Sequence, residues 1–332
     1  MALDVVPVSM PHPDRRRLIA APLLALAAPA WAITVPGRPV RLIVGYPAGG
    51  GTDAQARLLA QHFASALNAT FVVENKPGAG TMIGASEAAK SAPDGHTLMY
   101  TPASTLAQLP HTMLAVRYEP LRDFTPIAQV ALGPVVLVLQ KSVPAESLAE
   151  LIAYAKRKPG ELNYVSQGVG TSAHVFGQML ARQAGIDIVH VPYKGANDVA
   201  KDFIAGRVHL QFASSSAAAQ LARSGQVRLL GVVAPRRTPL FPELATMSEL
   251  GIAGMDMDTS LGLIGPAGMP REVVARISDA TRTIVAMPAV QAEFRNGGVE
   301  PRWAGPAEFG ETIRVSHAAW ERLLGTIGYV RQ

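Results

Sequence analysis

Five short segments rich in glycine and hydroxyl residues each follow a predicted strand. They are residues 46–53, 78–81, 101–105, 166–172 and 214–216. Glycine lets backbone N–H groups approach a ligand closely, and a following helix adds unpaired N–H groups and a positive dipole end. Such neutral donors are suited to binding a carboxylate. The same residue types also form ordinary turns and helix N-caps, so each loop taken alone has two interpretations.

Motifs of metal, nucleotide and nucleophilic chemistry are missing or weak. The eight histidines form no H-E-x-x-H pattern, and the sequence has no G-x-S-x-G elbow. The glycine run at 49–51 lacks the lysine of a P-loop. Residues 78–84 approach the dinucleotide fingerprint, but the third glycine stands one position late. We therefore expect no catalytic residue, no bound metal and no cofactor.

Composition excludes further classes of protein. The chain has 332 residues, 48% of them hydrophobic, and no cysteine, which rules out a disulfide framework and a thiolate metal site. The net charge is +5 at pH 7, but the basic residues are dispersed. A nucleic-acid-binding protein would show a basic stripe, so we expect no nucleic-acid partner. The positive field weakly favours a small anionic ligand.

The first 32 residues have the parts of a secretory signal peptide. Arginines at 15–17 precede the apolar run LIAAPLLALAAP (18–29), and AWA (30–32) has the form of a cleavage site. We predict export to the periplasm and cleavage after Ala32, so that the mature chain begins at Ile33. The apolar run is too short to span a membrane, which needs about 20 residues. A buried N-terminal helix is the alternative.

The rest of the chain alternates predicted strands and helices. The run VVLVL at 135–139 has no polar alternation, which predicts a strand buried on both faces. A capping box predicts a helix over 147–157, and further helices are predicted over 172–184 and 197–205, with Gly185 and Gly206 beyond their ends. Repeated β–α units predict an α/β fold with mostly parallel sheets.

Longer segments resemble one family of receptors. They are similar to segments of the solute-binding receptors of tripartite tricarboxylate transporters, the Bug family. The likeness extends in order over nearly the whole mature chain. The segments are YPAGGGTD (46–53), VVENKPGAG (72–80), APDGHTL (92–98), LRDFTPIA (121–128), ELIAYAKRKPGELNY (150–164), LNYVSQGVGTSAH (162–174), VHVPYKGA (189–196) and LIGPAGMP (263–270).

The resemblance implies a two-domain periplasmic-binding-protein fold, type II-like, with a ligand cleft between the domains. Domain 1 would comprise residues 33–131 plus 259–332, and domain 2 residues 132–258. In the family, backbone amides and hydroxyls of the loops hold a small organic carboxylate. The matching positions, implied as ligand-binding residues, are Tyr46, Ala48, Gly49, Gly50, Thr52, Asp53, Thr101, Ser104, Ser166, Gly168, Thr171, Ser172, His174 and Ser214.

Some of these positions have structural alternatives or depart from the family pattern. Asp53 would repel an anion, so we prefer a helix-capping role for it. His174 is interpreted either as a ligand contact or as a helix-surface residue. Tyr46 stands where phenylalanine is more usual, Ala213 where an acid is common, and Ser260 with Leu261 where an aromatic pair is common. The absence of an acid at 213 favours a ligand without an amino group.

The predicted function is capture of a small mono- or dicarboxylate by closure of two domains, followed by delivery to a membrane carrier. We expect the receptor to be a monomer. An orphan or signalling receptor with the same cleft is the alternative that the sequence leaves open. A small-molecule enzyme is less favoured, because no nucleophile with an oriented base is recognisable.

Overall fold

Two β-sheets with helices on their faces form the described part of the chain. The structure is a computed structural model that describes residues 1, 38–193, 196–257 and 259–332, apart from the side chains of 196–198. The predicted cleavage site after Ala32 and the rest of the signal peptide beyond Met1 lie outside the described residues. Among the helices described, none combines the length and the apolar composition that crossing a bilayer requires.

The first sheet is mixed. Its spatial order is β11-β4-β10-β3-β1-β2, with β1 (Val40–Val44), β2 (Phe71–Asn75), β3 (Thr97–Pro102), β4 (Phe124–Leu132), β10 (Ser260–Pro266) and β11 (Glu300–Ala304). Strand β1 runs parallel to β2 and β3. Strand β10 runs antiparallel to β3 and β4, and β11 antiparallel to β4. The loops after β1, β2 and β3 therefore share one edge of the sheet.

The second sheet has the order β7-β6-β8-β5-β9, with β5 (Val135–Gln140), β6 (Asn163–Ser166), β7 (Val189–Pro192), β8 (Leu210–Ser214) and β9 (Val227–Val233). Strand β6 is parallel to β7 and β8, and β5 is antiparallel to β8 and β9. Val136 and Val138 pack in one core cluster, and Leu137 and Leu139 in another. The predicted strand buried on both faces is thus confirmed.

The prediction of mostly parallel sheets is wrong. Strand β4 continues after two residues into β5 of the other sheet, and the chain returns over residues 234–259 from β9 to β10. Adjacent parallel strands need a long crossover connection, usually a helix. Between β4 and β5, and between β9 and β10, the chain instead passes from one sheet to the other. Only the β–α units from β1 to β3 and from β6 to β8 follow the parallel pattern.

Helices cover both sheets, and several begin and end where the sequence predicts. They are α1 (Gly51–Leu67), α2 (Met82–Ala89), α3 (Ser104–Ala107), α4 (Leu109–Thr112), α5 (Leu148–Arg157), α6 (Ser172–Ala184), α7 (Ala196–Ile204), α8 (Ser215–Arg223), α9 (Arg271–Ala286), α10 (Pro288–Asn296) and α11 (Pro306–Thr326). Gly185 ends α6 at φ 60°, and the Ser147 hydroxyl accepts the Glu150 N–H at the start of α5, at 3.2 Å. Both caps are as predicted.

The last helix joins the cores of the two sheets. Phe309 and Ile313, near its start, pack in a cluster with strand residues of the first sheet. Trp320 and Leu324, further along, belong to the cluster beneath the second sheet, where the Trp320 ring lies 5.5 Å from the ring of Phe176. Helix α11 therefore gives the two sheets a shared apolar support.

Candidate functional site

The first loop, 46–53, is held by the buried carboxylate of Asp53. Its oxygens accept hydrogen bonds from Gly49 N–H, Arg57 Nε–H and the Asn75 side-chain amide, each at 2.9 Å. Burial alone would raise the pKa of Asp53, but these donors outweigh burial and hold the pKa below its usual value. The carboxylate is engaged within its own loop and helix, which fits the preferred structural role.

The start of α1 is open to a ligand. Its N-cap is Gly50, which has no side chain to accept from the first turn, so the first N–H groups of the helix have no capping partner. Ala48, Gly49 and Gly50 are exposed. A helix N-terminus of this kind carries partial positive charge and binds anions.

The second sheet reaches this helix end through α8. A Cβ at Gly51 would lie 2.9 Å from Cβ of Ser216, the second residue of α8. The positive ends of two helix dipoles therefore meet here, one from each sheet. Close approach of two such ends is unfavourable without a negative charge near both, so the arrangement favours an anion beside this contact.

Buried threonine hydroxyls connect the second and third loops. Thr105 Oγ1 lies 2.8 Å from Thr81 Oγ1 and 2.7 Å from Thr101 Oγ1. Thr81 has φ +96°, which is rare for a β-branched residue, and a Cβ at Gly45 would lie only 2.6 Å from its Cβ. Thr101 lies within β3 rather than in a turn. The only sequence signal for Thr81 and Thr105 is their place in hydroxyl-rich loops.

The fourth loop, after β6, uses its hydroxyls internally. Ser166 Oγ donates to Gly168 O at 2.9 Å and lies 2.8 Å from His190 Nε2. Thr171, the N-cap of α6, also donates to Gly168 O, at 2.7 Å, and makes no side-chain cap bond. These contacts are turn chemistry, the alternative that the sequence left open. The Thr171 oxygen keeps its lone pairs, and ligand contact by Ser166 and Thr171 stays a prediction.

Gln108 joins the two sheets and is a residue that the sequence reasoning missed. It follows α3, is fully buried, and donates from Nε2 to Gly170 O at 2.9 Å. Its Oε1 accepts from the hydroxyl of Ser172 at the start of α6. Nearby, a Cβ at Gly80 would lie 3.5 Å from Thr171 Cγ2. The loops of the first sheet thus meet the fourth loop directly.

The fifth loop places its serines differently. Ser214 is exposed and caps α8 by accepting from Ala217 N–H at 3.3 Å. Ser215 is fully buried, and its hydroxyl has no hydrogen-bond partner among the described residues. Ala213 packs in an apolar cluster with Val136. An acid at position 213 would therefore enter the core of the second sheet.

The remaining predicted positions are half-buried or buried. Tyr46 packs against the core of the first sheet, and burial raises its pKa to about 12. The described residues offer no hydrogen bond to the half-buried hydroxyls of Thr52 and Ser104. His174 is 5% exposed, so the helix-surface interpretation is wrong. Its Nδ1 accepts from Gly170 N–H at 3.1 Å.

No alternative site competes with these loops in the described ranges. Residues 38–193, 196–257 and 259–332 contain no group of three or more histidines or carboxylates that could hold a metal ion. A surface cavity of about 250 Å³ lies beside Phe124 and Ile313, and one of about 290 Å³ beside Arg57 and Phe71. Neither is lined by residues of the glycine-rich loops, so we place the candidate site at the convergence of those loops.

Comparison with known proteins shows the family of the chain. Residues 55–328 match the model of the tripartite tricarboxylate transporter family receptor. The periplasmic binding protein BugD is 30% identical, with a TM-score of 0.82 over 90% of this chain and 100% of BugD. Rpa4515 of R. palustris, solved with adipate, is 31% identical, with a TM-score of 0.83 over 90% of this chain and 99% of its own.

MatC of Rhodopseudomonas palustris, solved with malate, is 27% identical, with a TM-score of 0.79 over 87% of this chain and all of its own. These three likenesses each cover 87–90% of the chain. The α/β fold of a two-domain periplasmic binding protein is thereby confirmed. The family model spans far more than half of the sequence, from residue 55 within α1 to residue 328, just beyond the end of α11. The chain belongs to the tripartite tricarboxylate transporter receptors, the Bug family of solute-binding proteins.

Proposed function

We propose that this protein is a periplasmic receptor that captures a small organic carboxylate between its two sheets and delivers it to a tripartite tricarboxylate-type membrane carrier. The observation that carries the proposal is the uncapped start of α1, which faces the start of α8 from the other sheet. A carboxylate beside this contact would accept hydrogen bonds from the first-turn N–H groups of α1 and offset the two positive helix ends.

The ligand would be held mainly by neutral donors. Backbone N–H groups at 50–52 and the hydroxyls of Thr52 and Ser104 are the best candidates. These two hydroxyls make no hydrogen bond to another described residue. Asp53 already has three donors and would repel an anion, so we assign it to holding the loop. Adipate in Rpa4515 and malate in MatC support a mono- or dicarboxylate as the ligand class.

Capture would proceed by closure of two domains. We propose domain 1 as residues 33–131 plus 259–332 and domain 2 as 132–258. In support, the chain passes between the sheets at 133–134 and 234–259, where Gly133 N–H donates to Thr259 O at 3.0 Å. The two connections lie side by side, as a hinge requires, and the Gln108 contacts would form when the domains meet.

The carrier partner, the monomeric state and the absence of catalysis are part of the same proposal. Relatives and structural neighbours are solute-binding proteins, and the site has hydrogen-bond donors for retention. The Ser166 hydroxyl beside His190 donates to Gly168 O rather than to the imidazole, so His190 does not act as its base. Export would remove residues 1–32. Mass spectrometry of the exported protein should find Ile33 at the N-terminus, and an intact Met1 would refute cleavage.

Thermal unfolding with a panel of acids tests the proposal. Adipate, malate, benzoate and glutamate would be compared at neutral pH with 1,6-hexanediol, which has the length of adipate without its charge. An acid present at 100 times its Kd should raise the free energy of unfolding by about 2.7 kcal/mol. The diol should have no effect. Stabilisation by none of the acids would reject carboxylate binding.

A further inference from the structure

Two stacked imidazoles lie beneath the fourth loop. The rings of His174, on α6, and His190, on β7, are 4.1 Å apart between centroids and 25° from parallel. Tyr164 stacks on the other face of His190 at 4.9 Å, and Tyr329 meets His174 edge-on at 6.1 Å. The stack sits where the fourth loop leaves β6, so the protonation state of the imidazoles bears on the shape of that loop.

The hydrogen bonds fix the tautomer of His174. Gly170 N–H donates to His174 Nδ1 at 3.1 Å, and a backbone N–H can only donate. Nδ1 is therefore unprotonated, and in a neutral ring the proton is on Nε2. That nitrogen lies 3.1 Å from the side-chain amide of Gln178, which must turn its oxygen toward the ring. A proton on Nδ1 would put two donors face to face and break the bond to Gly170.

The second histidine supports the same loop through Ser166. The Ser166 hydroxyl donates to Gly168 O and also accepts from Gly168 N–H, at 3.2 Å. His190 Nε2, 2.8 Å from the same oxygen, must then donate to it. His174 and His190 thus hold the loop at Gly170 and at Ser166, and the contact of His174 requires a neutral ring.

The surroundings of the stack disfavour a positive charge. Burial lowers the pKa of His174, and burial together with His174 lowers the pKa of His190 to about 4. The groups facing the stack are Tyr164 from β6, Gln178 from α6 and Tyr329 from the C-terminal segment, all uncharged at neutral pH. Among the described residues, no carboxylate pairs with either ring.

Taking the proposed function as its basis, we propose that His174 is a positioning residue for the binding loop of the second sheet. Its unprotonated Nδ1 holds the Gly170 amide, so the loop is formed at neutral pH and released in acid. Gln108 of the first sheet binds the carbonyl of the same Gly170, which ties the loop to domain closure. The pKa of His174 is lowered in the folded protein. The contribution of its neutral ring to holding the loop is therefore present above about pH 6.5 and is lost as pH falls.

Variants of His174 separate positioning from a merely structural role. His174→Asn keeps a non-titrating acceptor near Nδ1, and His174→Leu removes it. The affinity for adipate would be measured by calorimetry from about pH 7.5 to about pH 5, the range in which histidine side chains change charge. Wild-type affinity should fall with pH, and His174→Asn should flatten the fall. His174→Leu should bind roughly five- to 150-fold more weakly at neutral pH, the loss expected for one buried unpaired donor.

A matched control lies at the opposite end of β6. His209 Nδ1 also accepts a backbone N–H, that of Asn163, at 3.2 Å, and burial also lowers its pKa. His209→Asn should leave the pH profile of adipate affinity as in the wild type. An unaltered profile in His174→Asn, or wild-type affinity in His174→Leu, would overturn the proposal.

A ligand-free measurement keeps this inference distinct from the proposed function. In NMR spectra of the protein alone, His174 should show the Nε2–H tautomer, and the Gly170 amide shift should follow the titration of His174. A Nδ1–H tautomer, or a Gly170 amide that ignores that titration, would overturn the positioning role. Failure of every acid to bind, with the NMR result as expected, would refute the proposed function and leave the loop mechanism established.

Discussion

Gln108 offers a direct measure of how strongly the two sheets are coupled. The change is Gln108→Leu, which keeps the size of the side chain and removes both polar atoms. In the structure, Gln108 is fully buried and makes one hydrogen bond to Gly170 O and one to the hydroxyl of Ser172. Both partners belong to the loop and helix of the second sheet, so both bonds would be lost from the closed form.

The expected size follows from these two bonds. Each buried hydrogen bond contributes about 0.5–1.5 kcal/mol net, so two contribute about 1–3 kcal/mol. If they form on closure, Gln108→Leu should raise the Kd for a bound acid roughly five- to 150-fold. Calorimetry of the acid that gives the largest thermal shift measures this change.

The control for this variant is Gln183→Leu. Gln183 also uses both amide atoms, donating to Ala253 O at 2.8 Å and accepting from Ala253 N–H at 2.9 Å. Those bonds do not join the two sheets, so the Kd of Gln183→Leu should stay within about twofold of wild type, the usual range for surface changes. An unchanged Kd in Gln108→Leu would show that the contact between the sheets does not contribute to capture.

Three further changes test other parts of the site. Thr52→Val should weaken acid binding by about 1–3 kcal/mol in calorimetry, because a ligand oxygen loses its donor, and an unchanged Kd would assign Thr52 to the helix alone. Gly51→Ala should weaken acid binding by about 1–3 kcal/mol, because the added methyl group collides with Ser216. The second change Ser216→Gly should restore the affinity. Failure of this rescue would mean that the two helix ends do not meet on closure. The pKa of Asp53 is lowered in the folded protein, so the carboxylate contributes stability at pH values above its ordinary pKa of 3.8. This contribution is lost as pH falls through the folded pKa. Urea unfolding should therefore show that Asp53→Asn is less stable at neutral pH and that its stability depends less on acid.

Local signals predicted the elements well because they act over a few residues. The bounds of α6 followed from its cap residues and Gly185, and the strand at 135–139 from its unbroken apolar run. The mixed sheets escaped prediction because strand direction depends on where the chain changes sheet. That is a property of the whole chain and not of any single β–α unit.

The side-chain partners in the site were harder to predict because they are distant in sequence. Gln108 lies 62 residues from Gly170 and 64 from Ser172, and no local pattern links them. His174 stood in a segment identified by resemblance, yet its ring partners include His190 from the neighbouring strand. The strained φ of Thr81 depends on the space left by Gly45, which only the packed fold provides.

A crystal structure with the acid that stabilises the protein most would test the central claim most directly. We predict one carboxylate at the start of α1, with an oxygen about 2.7–2.9 Å from backbone nitrogens of the first turn and the start of α8 closing over it. An acid bound elsewhere, such as the cavity beside Phe124 and Ile313, or held by basic side chains away from both helix ends, would contradict the account.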